Sequence, residues 1–347
     1  MLGDAHAGKG EYATALEHYE RAFHLARVND GLNAPSQVEI VYREAAVLKA
    51  LGEYRQANDR EEYAYEVLAR AHGSLDQDLL PGIYHLARWY EQTGNVFAAR
   101  GLYQHALKIL EAHDKLEAPQ AIRAFRGLAS SYRMERFPVY LVADTGPQSG
   151  TLSSAGGMEQ ALSVNNFPAG EAALQQIIRI HQIQEPLDKP AFAEAVLDLA
   201  DWYMLFDRTQ RSEPLYAHAW ELLAEVEGFD VVSYFAQPRL LYFPAPGTPR
   251  GTSVRTGGEE ATGYVEVAFD VTDTGYVRSL ATVASVPDGL MDFRVRKSLR
   301  VARYRPMLVD GVPVAKQGHT YRHEFPYFEE REEEDVDRRG SETAARD

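Results

Sequence analysis

One spacing constrains this chain more than its composition does. Ala15, Ala57 and Ala99 lie 42 residues apart, and so do Gly10, Gly52 and Gly94, and Ala22, Ala64 and Ala106. Tyr12 and Tyr54 match at the same interval, with Val96 in the third copy. Three registers agreeing at one period mean a supersecondary unit that cannot bury its apolar face alone and does so against its neighbours.

The third copy shows what a unit contains. Leu86, Ala87 and Tyr90 fall on one face of a helix, and Gly94 ends it, because glycine accepts the left-handed backbone of a helix stop. A second helix carries Ala99, Tyr103 and Ala106. The small residues let the two helices approach closely, and the tyrosines fill the space between them. This series of Leu, Ala or Gly, Tyr, Ala, aromatic and Ala resembles the tetratricopeptide repeat, whose usual period is about 34. A period of 42 implies helices about one turn longer each, as in the repeats of kinesin light chains. The resemblance implies an all-α superhelix whose tyrosines and alanines are core.

The array continues past residue 110. Leu128, Ala129 and Tyr132 open a fourth copy, 42 residues after Leu86, Ala87 and Tyr90. Residues 138–168 then intervene, with a Gly/Ser-rich run at 145–157 that reads as a flexible surface loop. The delayed second helix is expected at 169–183, with Ala173, Ile177 and Ile180. A fifth copy has Leu199, Ala200 and Tyr203, then Tyr216 and Ala219, and 199–223 aligns with 86–110 without a gap. In the first copy Leu2 and Gly3 hold the places of Leu86 and Ala87, so the chain begins inside a helix. An array normally caps its terminal apolar face, and Met1 is therefore expected to be an internal start, with any signal or anchor upstream of it.

Beyond about residue 228 the period changes from helical to alternating. Val265, Val267, Phe269 and Val271 share one face of a strand, Asp273, Thr274 and Gly275 make a turn, and Val277, Leu280 and Thr282 carry the return strand. A helix follows over 288–305, opened by Asp288 and ended by Pro306, with Leu290, Phe293, Leu299 and Ala302 towards its buried side. After a turn at 311–313 comes a last strand over 319–328. The expected division is a helical repeat domain over 1–228, a linker over 229–262, a small α+β domain over 263–328 and an acidic, charged tail over 329–347.

The residues of this second domain carry a second resemblance. Gly263, Val265, Val267, Phe269, Val271, Asp273, Gly275, Val277, Ser285, Pro287, Arg303, Tyr304, Pro306, Gly311, Pro313, Val314 and Phe325 stand in the order of the C-terminal domain of TonB proteins. Gln237-Pro238 and Tyr242-Phe243-Pro244 are similar to its preceding segment. The resemblance covers roughly 236–328. It implies a domain that grips a short extended segment of an outer-membrane transporter by adding it as a strand at a sheet edge. The edge would be 319–328, with His319, Tyr321, His323 and Phe325 on one face and Thr320, Arg322 and Glu324 on the other. It also implies a periplasmic or cell-envelope location and coupling of a bound partner to transport. A soluble periplasmic scaffold that uses the same domain for assembly is the alternative.

Composition narrows the remaining classes. A net charge of −15 argues against nucleic acid, which needs a basic surface to displace counterions. No cysteine is present, so there is no disulfide frame and no thiolate chemistry. The inner face of the repeats carries Tyr42, Lys49, Tyr84, Arg88, Arg123, Arg126 and Arg133, which is either solvated charge or a groove for an acidic segment or a free carboxylate. The chain's own tail at 329–337 is one candidate occupant. The helix at 288–305 carries Arg294, Arg296, Lys297, Arg300 and Arg303, a solvated face or a contact with an anionic surface. Eleven histidines include no pattern of metal ligands, and no phosphate loop, nucleophile elbow or dinucleotide fingerprint occurs. The expectation is a protein that binds other proteins, with no cofactor, no metal and no catalytic constellation.

Overall fold

The computed structural model describes residues 2–138, 165–247, 249 and 260–328. The Gly/Ser-rich run at 145–157 and the acidic tail at 329–347 lie outside the described residues. The rest divides into two compact units. One takes the described parts of Met1–Phe137, Ser163–Trp202 and His218–Phe229, and the other those of Pro138–Leu162, Tyr203–Ala217 and Asp230–Asp347.

Ten helices form five hairpins: α1 (Leu2–Ala7) with α2 (Tyr12–Asp30), α3 (Val38–Ala50) with α4 (Tyr54–His72), α5 (Leu80–Gln92) with α6 (Val96–Ala112), α7 (Ile122–Arg136) with α8 (Phe167–Gln182), and α9 (Lys189–Leu205) with α10 (Thr209–Ala224). The period survives in detail. Tyr12, Tyr54 and Val96 each begin a second helix, and short 3-10 turns at Pro35–Gln37, Gln77–Leu79 and Pro119–Ala121 lead into successive first helices at the same spacing. The hairpins reverse through Gly10 (φ +79°), Gly52 (φ +80°) and Gly94 (φ +78°), a left-handed backbone that a side chain resists.

The core follows the repeated small residues. Ala15, Ala57, Ala99, Ala64 and Ala106 are fully buried, as are Ala45, Ala87 and Ala200 on the first helices. Large rings then use the space that glycines leave. A Cβ on Gly127 would fall 2.3 Å from the Tyr103 ring, and one on Gly170 would fall 2.1 Å from Trp202. At one leucine site a carboxylate breaks the apolar pattern. Glu44 stands where the other copies have Leu2, Leu86, Leu128 and Leu199, and its side chain is fully buried. Arg60 Nε lies 3.0 Å from its carboxylate as an ion pair, without an aligned hydrogen bond to either oxygen. Burial pushes the Glu44 carboxyl up to about 7, against the pull of Arg60 and with the help of Glu20.

The second unit contains α11 (Val231–Phe235), β1 (Arg239–Tyr242), β2 (Glu260–Val271), β3 (Val277–Val286), α12 (Asp292–Val301), β4 (Arg303–Arg305), β5 (Met307–Val309), β6 (Val312–Val314) and β7 (Lys316–Phe328). The stretch 229–262, read from sequence as linker, thus holds a helical turn, a strand and the start of another. Strand order in the main sheet is β3-β2-β7, antiparallel throughout, while β1 pairs β4 and β5 pairs β6. Val265, Val267, Phe269 and Val271 pack on Val295 and Leu299 of α12. Of the residues expected on the buried side of that helix, Leu299 and Ala302 are buried but Phe293 is 69% exposed; Val295 and Ser298 face inward with Leu299.

The last hairpin tip belongs to this unit and departs from the repeat. The gap-free alignment puts Asp207 where Gly94 stands, and Asp207 keeps the left-handed backbone at φ +58°. Its carboxylate accepts a 2.6 Å hydrogen bond from the Tyr276 hydroxyl and lies 3.6 Å from Arg303 Nε, whose guanidinium stacks 3.9 Å over the Tyr276 ring. Beside it, Gly275 (φ +75°) has no room for a side chain, since a Cβ would fall 2.2 Å from the Tyr304 carbonyl oxygen.

Two pairs of measurements check this account. Gly127→Ala should destabilise the chain by about 2 kcal/mol in urea titrations, through overpacking against Tyr103. Gly101→Ala has nothing within 4 Å of the new methyl and should be neutral or stabilising by roughly 0.5–1 kcal/mol through helix propensity; equal effects would refute the packing argument. Glu44 binds its proton more tightly folded than unfolded, so its contribution to stability falls as pH rises from about 4.5 to about 7. Glu44→Gln should therefore be more stable than the parent at pH 8, by about 2–3 kcal/mol, and equal to it near pH 5. Hydrogen exchange of α3 amides reads both.

Candidate functional site: an open sheet edge and the first-helix face of the repeats

The longest element of the second unit is β7, thirteen residues. Its register against β2 is unbroken from Glu260↔Phe328 to Phe269↔His319, with one irregularity before Val271↔Lys316. Among the described residues no strand pairs with its other side, which leaves a row of backbone donors and acceptors open to an added strand. The opposite edge, β3, is less regular. Its pairing slips twice, between Glu266 and Val267 and between Ala268 and Asp270, and such bulges twist an edge away from further pairing.

The side chains expected at this edge divide as the pleat demands. His319, Tyr321 and His323 stand directly opposite Phe269, Val267 and Val265, and so lie on the packed face. His319 meets the Phe269 and Tyr304 rings at 5.2 and 5.6 Å. Phe243 covers Tyr321 at 4.9 Å and His323 at 6.3 Å. Phe325 is buried, and Gly263 across from it explains its own place in the motif: a Cβ there would fall 2.7 Å from the Phe325 ring. Arg322 is on the outer face, with its guanidinium 3.7 Å over Tyr264 and Nε 3.3 Å from Glu324. The open feature of β7 is therefore its backbone and its outer face of Thr320, Arg322 and Glu324, while the two histidines are lining. Burial holds both histidines below the usual imidazole range.

The residues expected on the inner face of the repeats form a chain of contacts from one first helix to the next. Tyr42 on α3 stacks at 3.7 Å on His85 of α5, and His85 Nε2 lies 3.0 Å from buried Glu61. Tyr84 is buried under the Arg123 guanidinium of α7, 4.1 Å away. Arg126 reaches α9, at 3.3 Å from Asp198 and 3.9 Å from Glu194. Lys49 donates to Gln92 at 2.8 Å and lies 5.8 Å over Trp89. Arg88 and Arg133 flank Glu91, whose carboxyl burial raises while a Tyr103 hydrogen bond and the two cations lower it. Much of the basic charge on this face is thus answered within the array.

Sequence reading missed a cavity of about 340 Å³ between α4, α5 and α6, lined by Glu62, Tyr65, Tyr90 and Leu102 among others. The available signal was a comparison of repeats: arginine at position 60 becomes leucine at 102. Among the described residues no group of His, Asp and Glu could hold a metal ion, and no helix is long and apolar enough to cross a membrane.

No protein-family model matches the chain, and no curated protein matches it. Solved structures do. A Podosopora anserina putative kinesin light chain with nearly identical TPR-like repeats is similar at 18% identity and a TM-score of 0.47, covering 65% of this chain and 94% of its own. BtubC (BKLC) from P. vanneervenii is similar at 15% identity and a TM-score of 0.45, covering 74% and 85%. MamA is similar at 14% identity and a TM-score of 0.36, covering 64% and 94%. At such scores the repeat assignment of this chain stands on its own 42-residue geometry.

The packed histidines give a pH dependence of known sign. Their folded values lie below the unfolded value near 6.5, so the unfolded chain binds more protons below that pH and the unit loses stability as pH falls from 7 to 5. In His319→Gln with His323→Gln, the protection of β2 and β7 amides, taken relative to their intrinsic exchange rate at each pH, should fall less between pH 7 and 5 than in the parent. An unchanged fall in protection would remove the histidines from the account.

Proposed function

We propose that this chain is a non-enzymatic interaction protein of the bacterial cell envelope, in which the helical repeats hold one partner and the α+β domain takes an extended segment of another as an added strand on β7. One observation carries the reading: a thirteen-residue strand bonded along one side only, at the edge of a three-stranded sheet whose other edge is broken by bulges. An incoming peptide supplies backbone groups for each open donor and acceptor, and the exposed Thr320, Arg322 and Glu324 would set its side-chain preferences. The order of motifs from Gly263 to Phe325, similar to that of TonB proteins, supports an outer-membrane transporter as the source of that segment and energy transduction as the purpose.

In-cell photocrosslinking tests this. A photoreactive phenylalanine at Thr320 or Glu324 should give adducts with an outer-membrane protein, mapped to an extended segment. The same label at Glu266, on the central strand, should give few. Adducts joining two copies of this chain would replace transduction with assembly, and equal labelling from Glu266 would overturn strand addition altogether.

A further inference from the structure

The second helices of the repeats carry a groove of their own, separate from β7. Between α4 and α6, over α5, lies the cavity of about 340 Å³. Glu62 is held there by the Tyr90 hydroxyl at 2.7 Å and Asn58 at 2.8 Å, both on Oε1, so its second oxygen remains for a ligand. The Tyr65 ring is fixed as well. Its hydroxyl lies 3.2 Å from His105 Nδ1, while His105 Nε2 lies 2.6 Å from the Ser74 carbonyl and donates to it, leaving Nδ1 to accept. Glu66 meets Arg70 at the exposed rim, 2.9 Å away. A Cβ on Gly101 would touch nothing within 4 Å, so the mouth is open.

The neighbouring repeats show what such a groove accommodates. Forty-two residues earlier, Glu62, Tyr65, Leu86 and Leu102 correspond to Glu20, Phe23, Glu44 and Arg60. There the chain fills the groove itself: the Arg60 guanidinium sits 5.4 Å over the Phe23 ring and 3.0 Å from Glu44. One repeat later, Arg100 stacks 4.1 Å over Tyr132, the counterpart of Tyr90, and lies 2.6 Å from Glu135. Each neighbour thus places an arginine on an aromatic ring beside a carboxylate. In the middle groove the rings remain, and so does Glu62, the counterpart of Glu20, but Arg60 and Glu44 are replaced by Leu102 and Leu86, and Arg100 and Glu135 by Asn58 and Thr93.

We propose that this middle groove binds the guanidinium of an arginine side chain presented by a partner polypeptide, stacked on Tyr65 as Arg60 is stacked on Phe23 and paired with the second carboxylate oxygen of Glu62. A guanidinium is planar and weakly hydrated, so it stacks on a ring and meets a carboxylate at once. The chain's net charge of −15 favours a basic partner at longer range. The site involves neither β7 nor the transporter reading, so either can fail alone.

Blocked arginine (N-acetyl-arginine amide) titrated into the full chain, followed by amide shifts of Tyr65, Gly101 and Leu102, tests the proposal against blocked citrulline, its neutral isostere. The expected result is saturable shifts with arginine, roughly tenfold weaker binding with citrulline, and a similar loss in Glu62→Gln and in Tyr65→Phe/Glu62→Gln. Leu102→Arg places an internal arginine at the position equivalent to Arg60 and should abolish binding. Equal binding of arginine and citrulline, shifts confined to other residues, or undiminished binding in Leu102→Arg would each overturn it.

Discussion

Everything in the helical part depends on reversing the chain at a fixed interval with two helices nearly in contact. The reversal needs one residue with positive φ, supplied by Gly10, Gly52 and Gly94, and the approach needs side chains no larger than a methyl, supplied by the buried alanines. Helix propensity alone would favour many lengths. The pairing of a left-handed stop with small residues at fixed distances after it allows one. Once that is set, the volume between helices is fixed too, and the large rings of Tyr103 and Trp202 can be accommodated only against Gly127 and Gly170.

The same constraint explains where charge is tolerated. Glu44 occupies a leucine site and is held as an ion pair whose burial works against it. Acid relieves that cost, whereas acid penalises the neutral histidines lining the sheet. Glu44 and the two histidines therefore respond to pH with opposite signs, each packed in the core of its own unit.

Much of this was legible in the sequence because identical environments recur. Five hairpins, the broken fourth copy and the short first one all follow from spacing, and the alternation from Val265 to Val271 places one sheet face without ambiguity. What escaped detection depends on pairs rather than periods. Phe293 satisfies a helical stripe yet faces outward, since α12 is short and its register is set by Val295 and Leu299. The histidines of β7 alternate like a solvent-facing set, but Phe243 from the preceding segment covers the face they share. Arg123 and Arg126 look like free charge along one helix, and only the stacking of α7 between its neighbours shows that Tyr84 and Asp198 answer them.

Asp207 carries a consequence for the history of such a chain. It takes the turn that glycine takes in earlier copies, and its carboxylate is spent on Tyr276 and Arg303. The attachment of the sheet to the hairpin tip is therefore written into the final copy alone. Whole 42-residue units upstream of α9 could be duplicated or lost by recombination without touching one of these contacts. The length of the array is free to drift while the Asp207 contacts are kept.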